Sequence, residues 1–353
     1  MHRREFTQIL SAAALAPSHA DVALLTHADA PHLSAYLEGL AKVNEVGRVF
    51  LAGAATESQA RKALGPKLAA VFKTPQDLFA SHKPRLALIP MEATLAPPAI
   101  DAALNAGCHV MAEKPACVRA EDFAPLAAKA NARKLHLHLA FANRIDPYFR
   151  EARRLIQAGT IGKMFGMEMH LIADQTRLTR PSYHQTWTAK KARAGGGHLI
   201  WLGIHWLDLA AYITGSNITH IAGFTGNVGG QPIDTEDSAA VVLKFANNTF
   251  GTLTSGYYID KGKQGFFKFW GANGWIEINQ EHPTSPLTWQ VHGQAVQHRK
   301  SNDPSGYTPW VQHVVRAALG LEAPVLTADE SLQALKTVFA AYRAAELGRT
   351  QPV

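Results

Sequence analysis

The sequence predicts an α/β protein of two domains: a parallel sheet with crossover helices, then a larger, mainly antiparallel open sheet with its own helices. Three observations carry this. The chain has 353 residues, more than a single core of ordinary size holds. From Asp21 to Glu113 short apolar runs alternate with amphipathic stretches, the order that a parallel sheet requires. After about Asp146 long alternating segments take over, the period-two pattern of strands with one solvated face.

Val22–Leu25 reads as the first strand, 32–43 as a helix and Val49–Ala52 as the second strand. A short helix over 75–80, a buried strand over 85–89 and a helix over 96–106, ended by Gly107, follow. The strand His109–Ala112, a helix over 119–132 and a strand over 135–141 complete the alternation, which is that of a Rossmann-type sheet. A helix over 146–158 stops at Gly159 and leads to strands over 164–172, 218–225, 239–245, 249–257 and 266–278. The last contains Ala272-Asn-Gly274, a hairpin turn. Final helices over 309–319 and 328–347 have room to pack across this second sheet. The expected division is 1–20 as a separate leader, 21–118 as the nucleotide-type domain and 119–353 as the substrate and oligomerisation domain.

Composition excludes several classes. No run of about 18 apolar residues exists in the sequence, so no helical membrane insertion is expected. Cys108 and Cys117 are too few for a disulfide framework and read as buried thiols. The excess of 35 basic over 28 acidic side chains gives +7. Without a long basic run or a nucleic-acid motif this points away from nucleic acid and leaves an anionic surface or an anionic small substrate. The excess is locally concentrated: Arg177, Arg180, Lys190, Lys191 and Arg193 occur with no intervening carboxylate, interleaved with Tyr183, His184 and Trp187. Arginines pair with carboxylate, sulfate or phosphate and aromatic rings stack on sugar faces, so this segment is expected to border a substrate entrance. A solvated loop or subunit contact is the alternative. His136 and His138 share one strand face, but carboxylates at ligand spacing are absent, and no metal site is expected.

At the N-terminus, Arg3-Arg4 precedes a small-residue apolar stretch and Ser18-His-Ala20. This resembles a twin-arginine export signal, which implies a periplasmic protein. A frayed terminus on a cytoplasmic protein is the other reading.

Several segments, in order, resemble the glucose–fructose oxidoreductase / inositol dehydrogenase (Gfo/Idh/MocA) family. They are 106–115, ending in Glu113-Lys-Pro115; Asn143-Arg-Ile-Asp-Pro147 with 155–162; the glycine-rich 195–208; Glu236-Asp-Ser238; and the hairpin 271–275. The resemblance implies a nicotinamide-dependent oxidoreductase of a sugar, polyol or derivative, assembled as a homodimer or homotetramer. It also implies, as a variant chemistry, redox-neutral glycoside cleavage with bound NAD. Lys114 follows a buried strand at the carboxyl edge of the sheet, where ligands bind; a surface ion pair with Glu113 is the bland alternative. His205 occupies the family's acid/base position, a role that suits a near-neutral pKa, and Asp208 is expected to orient it. His198, Trp201, His205, Asp208 and Tyr212 recur at helical spacing, so His198 and Trp201 are expected to share the pocket wall. Many relatives have an aspartate where this chain has Trp201; an indole takes no proton but stacks on a sugar.

The cofactor loop departs from the pattern. After the first strand the chain reads Thr26-His-Ala-Asp-Ala-Pro-His32, with none of the glycines that let pyrophosphate approach a helix N-terminus. Asp29 sits where phosphate would sit and is expected to cap the helix itself. The acid expected after the second strand is also missing from Leu51-Ala-Gly-Ala-Ala55. The remaining contacts expected for NAD or NADP are Thr26, His27, Ala28, Glu113, Lys114 and Pro115, with Asn143 and Arg144 from the second domain. Tight binding through them, or loss of the cofactor with a sugar-binding or scaffold role, are the open alternatives.

Overall fold

The computed structural model describes residues 19–282, 284–300 and 304–353. The expected export signal lies outside them apart from its last two residues, and Ala20 already belongs to the first strand.

The first sheet has six parallel strands: β1 (Ala20–Leu25), β2 (Val46–Ala52), β3 (Leu68–Phe72), β4 (Leu86–Ile89), β5 (His109–Ala112) and β6 (Leu137–Leu139), in the order β3-β2-β1-β4-β5-β6. The central strands are short unbroken apolar runs because helices cover both faces: Val22–Leu25 and Leu86–Ile89 are fully buried. The connecting helices are α1 (Leu33–Lys42), α2 (Glu57–Leu64), α3 (Pro75–Ser81), α4 (Ala96–Asn105) and α5 (Ala120–Ala132). The strand order reverses between β1 and β4, the switch point where such sheets open a ligand crevice. β6 lies in this sheet, so the boundary expected at 118 falls before its last crossover. Cys108 and Cys117 are buried free thiols.

After α6 (Pro147–Gln157) the chain enters a nine-stranded sheet: β7 (Met164–Asp174), β8 (Ile218–Gly226), β9 (Ser238–Phe245), β10 (Phe250–Ile259), β11 (Lys263–Gly271), β12 (Gly274–Asn279), β13 (Leu287–Val291), β14 (Gln297–Arg299) and β15 (Gln351–Pro352). Its order is β14-β13-β12-β11-β7-β10-β9-β8-β15, antiparallel except between β7 and β10. One face buries Met167, Leu253, Phe267 and Ile276. The other leaves Phe224, Val242, Phe250 and Trp270 exposed. Between β7 and β8 run the short helices α7 (Pro181–His184) and α8 (Lys191–Ala194), then α9 (Ile204–Thr214).

The last two helices part company. α11 (Ala328–Leu347) starts with a complete capping box, Thr327 with Glu330, and packs on β8, α5 and α9. α10 (Tyr307–Ala318), expected across the second sheet, returns instead to the first domain. Its Trp310, Val311, Val314 and Val315 join the core under Leu33, Tyr36, Leu37 and Leu40 of α1. Gly39 permits the approach: a Cβ there would lie 2.8 Å from Val311.

Candidate active site

The carboxyl end of β5 delivers Glu113 and Lys114 to the crevice side of the sheet, and the Lys114–Pro115 peptide is cis. Both side chains are buried. Glu113 accepts hydrogen bonds from the Tyr36 hydroxyl and from the Lys114 backbone N–H (3.2 Å), and lies 3.2 Å from His32 Nδ1. Burial alone would raise the carboxyl's pKa; His32, Lys114 and Tyr36 outweigh it and hold it below the usual carboxylate range. The expected cofactor contact is thus tied to the start of α1. Lys114 donates to the Trp201 carbonyl and lies 3.7 Å from the centre of the Trp201 ring. Burial lowers its pKa to about 8, with Glu113 opposing and Arg177 assisting.

Gly195, Gly196 and Gly197 lead into the helix that was expected to carry a single polar stripe. A Cβ on Gly196 would overlap the Tyr342 ring and one on Gly197 the Glu236 carbonyl, so close packing demands glycine at both. Glu236 fixes this start, accepting from the N–H groups of Gly197 (2.6 Å) and Leu199 (2.9 Å) and from the Tyr342 hydroxyl (2.8 Å). Residues Leu199–Gly203 then form a π turn before α9. A π turn holds an extra residue, so side chains before and after it rotate relative to one another, and the expected stripe divides. His198 turns to Ser255 on β10 (Nδ1 to Oγ, 2.7 Å). Trp201 turns to the crevice. His205 sits edge-on to Phe141, 5.7 Å between ring centres.

Asp208 does not orient His205. It makes a buried bidentate pair with Arg144, 2.7 Å at the closest, and Arg144 also reaches Glu330 (2.8 Å) and the Val325 carbonyl (3.0 Å). Burial opposes the guanidinium charge, but Asp208 and Glu330 outweigh it and raise its pKa. Neither the catalytic role expected of Asp208 nor the cofactor contact expected of Arg144 survives this mutual pairing. Asn143 lies in the same short turn, its carbonyl accepting from Asp146 (3.1 Å). His205 Nδ1 is buried without a hydrogen-bond partner. Burial, then Lys114, drives its pKa well below the ordinary imidazole value, and burial lowers that of His198 to about 3. Both rings are therefore neutral at physiological pH.

Beside Leu202 a cavity of about 610 Å³ opens between the 174–186 segment and the second sheet. Arg177, Arg180, Tyr183, Tyr257 and Lys263 line it. Arg177 donates to the Tyr257 hydroxyl (3.4 Å), and its guanidinium lies over the Tyr183 and Tyr257 rings. Among the described residues no carboxylate approaches Arg177, Arg180 or Lys263 within 4 Å. Burial lowers the Lys263 pKa. The other two aromatics expected here are engaged elsewhere. His184 bonds the Leu178 carbonyl of its own loop (2.6 Å), and buried Trp187 donates to the Asp29 carbonyl across the crevice (3.4 Å).

Sequence reasoning missed Glu92 and Lys263. Glu92, beyond β4, is buried and bonded by Arg193 and Thr94, with His27 Nε2 at 3.9 Å. A lone acid in Pro90-Met-Glu92 carries no signal of that bridge. Lys263 opens a strand whose face shows only after the sheet is assembled.

The β1–α1 loop also differs from expectation. Asp29 is exposed in a turn and does not cap α1; the cap position is His32, left-handed (φ 54°) and without a side-chain cap bond. The reason is register, because the helix starts at Leu33, four residues beyond the acid. Thr26 is buried with its hydroxyl 2.6 Å from that of Thr56. Both ring nitrogens of His27 are buried without a hydrogen-bond partner, Nε2 facing Glu92 at 3.9 Å, while Ala28 is exposed. A dinucleotide does not fit among these side chains as they stand. Its pyrophosphate would meet a glycine-free loop, and the crevice is bridged by Trp187 to Asp29, by Arg193 to Glu92 and by Trp201 on His32. No group of three or more His, Cys, Asp or Glu that could hold a metal occurs among the described residues.

A six-stranded nucleotide-type sheet followed by an open sheet bearing a cationic cavity defines a two-domain oxidoreductase fold. Residues 27–141 match the family profile described as "Oxidoreductase family, NAD-binding Rossmann fold", and residues 149–277 the "GFO/IDH/MocA C-terminal domain". The chain belongs to the Gfo/Idh/MocA oxidoreductase family. It is similar to the rhizopine catabolism protein MocA of Rhizobium meliloti, 24% identical over 197 residues, 54% of this chain and 55% of the relative. Like that alignment, the other leading ones span about half the length of the curated relatives. In fold it resembles an oxidoreductase domain protein from Kribbella flavida (TM-score 0.84, 18% identity, 94% of this chain and 99% of that one). It also resembles a levoglucosan dehydrogenase in complex with NADH and levoglucosan (TM-score 0.82, 17% identity, 94% and 99%).

Proposed function

We propose that the protein is an oxidoreductase acting on a polyhydroxylated small molecule that carries an acidic group: a sugar acid, or a phosphorylated or sulfated polyol. The observation that carries this reading is the cavity lined by Arg177, Arg180 and Lys263, three cations against the single carboxylate of Asp174, which among the described residues pairs with none of them within 4 Å. Guanidinium forks match carboxylate and phosphate oxygens, and the Tyr183 and Tyr257 rings offer apolar faces to a sugar. The anionic group would sit on Arg177 and Arg180 with the hydroxylated end toward Lys114 and His205. Lys114, with its pKa lowered to about 8, would exchange the proton of a substrate hydroxyl once the Trp201 ring that covers it has moved aside; neutral His205 would accept a hydrogen bond and exclude a second charge. A bound nicotinamide would supply the hydride acceptor of the family's chemistry. The closed crevice favours a second reading, recognition of the same ligand without turnover. As part of the proposal, copies associate through the open sheet face that exposes Val242, Phe250 and Trp270.

Calorimetric titration with D-gluconate and with sorbitol tests the ligand class. Gluconate is expected to bind at least about tenfold more tightly, the weight of one charge-assisted contact, and Arg177→Ala is expected to erase the difference. Equal affinities in the wild-type protein overturn the assignment of an acidic ligand. Mass spectrometry of small molecules released from the purified protein separates the two readings, since turnover requires a bound or exchangeable redox partner.

A further inference from the structure

We propose that Trp201 is an internal plug of the dinucleotide crevice, held on Lys114 and His32, which NAD(H) must displace in order to bind. The inference does not depend on what occupies the Arg177 cavity. It starts from the position of the indole. The π turn over Leu199–Gly203 rotates Trp201 out of the buried helix face, and the ring enters the space between the end of β5 and the start of α1.

Three contacts hold it there. Lys114 Nζ lies 3.7 Å from the ring centre. His32 stacks on it at 5.8 Å with an interplanar angle of 24°. Trp187 meets it edge-on at 5.5 Å and donates its own Nε1–H to the Asp29 carbonyl (3.4 Å). The backbone assists, since the Trp201 carbonyl accepts from the Lys114 ammonium. The lysine side chain is thereby covered by protein on the side facing the second domain.

The surroundings explain why an indole is stable in this place. Lys114 is buried and, among the described residues, has no carboxylate within 4 Å, although Glu113 precedes it; a desolvated ammonium gains most from an aromatic face and a carbonyl. His32 is itself fixed by Glu113 at 3.2 Å and by the Tyr307 ring at 5.2 Å. The plug thus completes a chain from Glu113 through His32 and Trp201 to Lys114, and a ligand entering the crevice must break it. Binding that requires displacement of a preferred conformer has its affinity reduced to the fraction of molecules in which that conformer is absent.

Calorimetric titration with NADH tests this, on the wild-type protein and on Trp201→Ala, Trp201→Leu and Trp187→Phe. Trp201→Ala is expected to bind NADH at least about tenfold more tightly than wild type, the range of one desolvated cation–π contact. Trp187→Phe, which keeps an aromatic edge but removes the bond to Asp29, is expected to give a smaller gain. Trp201→Leu covers the case in which the alanine variant fails to fold. A second readout needs no ligand. In reductively ¹³C-methylated protein, the titration midpoint of Lys114 is expected to rise in the Trp201 variants as water reaches the ammonium. Equal NADH affinity in wild type and folded Trp201 variants, or a Lys114 midpoint that does not move, overturns the plug. Gluconate binding measured in parallel reports on the Arg177 cavity, so failure of one assignment is distinguishable from failure of the other.

Discussion

Replacing Asp208 by alanine separates a structural from a catalytic reading of the segment that most resembles a catalytic helix. The carboxylate and the Arg144 guanidinium are both almost fully buried, with side-chain exposures of 2% and 3%. Two parallel bonds join them, with Nη2–Oδ1 at 2.7 Å and Nε–Oδ2 at 3.0 Å. Removing one member of a buried pair strands the other charge and costs about 3–5 kcal/mol. Three partners remain for Arg144: the Val325 carbonyl, the Tyr212 ring and Glu330, whose side chain is 44% exposed. A half-solvated carboxylate compensates only in part, which puts the expected loss at the lower end, about 3 kcal/mol. Urea unfolding at pH 7 measures it. The double variant Arg144→Met/Asp208→Leu is expected to recover most of the stability, because paired replacement by apolar side chains strands no charge. Should Asp208→Ala stay within about 0.5 kcal/mol of wild type, the scale of an ordinary surface change, while ligand turnover collapses, the carboxylate would belong to the chemistry and the structural assignment would be refuted.

Lys114→Met is expected to reduce turnover of the acidic substrate by about 10²–10⁴-fold, and it also carries a stability signature. Because the folded ammonium has its pKa lowered to about 8 from 10.5, the unfolded chain binds the extra proton between those values. The lysine therefore adds stability as pH rises from about 8 to 10.5, a gain that melting curves should show in wild type and not in the variant. His198, lowered to about 3 from 6.5, adds stability above pH 6.5 that is lost progressively as pH falls toward 3; His198→Gln should flatten that acid limb in urea titrations. Glu236→Ala leaves the N–H groups of Gly197 and Leu199 without their acceptor, at about 1–3 kcal/mol for each buried group left unpaired. Glu236→Gln, which keeps an acceptor oxygen, should restore part of the loss in thermal melts.

Periodicity made most of the fold legible. The runs around Val22–Leu25 and Leu86–Ile89, and the alternation of Ser238–Phe245, state both sheet types because strand burial is written directly into residue order. The destination of α10 was not legible. Trp310, Val311 and Val314 announce an apolar face but not the surface that covers it, and only Gly39 on α1, far earlier in the chain, marks the partner. The polar stripe from His198 to Tyr212 was misread for a local reason. Its spacing presumes 3.6 residues per turn throughout, and the π turn over Leu199–Gly203 breaks that phase at the point where Trp201 leaves the stripe. Loss of the glycine loop was plain in Thr26–His32, whereas the device that closes the crevice required three-dimensional proximity of His32, Lys114 and Trp201.

Charge is the subtler case. Five cations between Arg177 and Arg193 form one signal in the sequence, yet they divide by partner. Lys191 faces Glu346 at 3.4 Å and Arg193 holds the buried Glu92, so these two act as ties between parts of the chain. Arg177 and Arg180 reach the cavity without an ion pair among the described residues, and Lys263 joins them from a strand about 80 residues later. What recognises an anion is the charge left after internal pairing, not the charge counted along the chain. A ligand carboxylate meeting Arg177 displaces at most its bond to the Tyr257 hydroxyl, whereas at Arg193 it would have to displace Glu92 and leave that acid buried alone. On the proposed reading, this selection among like residues would put the anion end of the ligand beside Tyr183 and Tyr257.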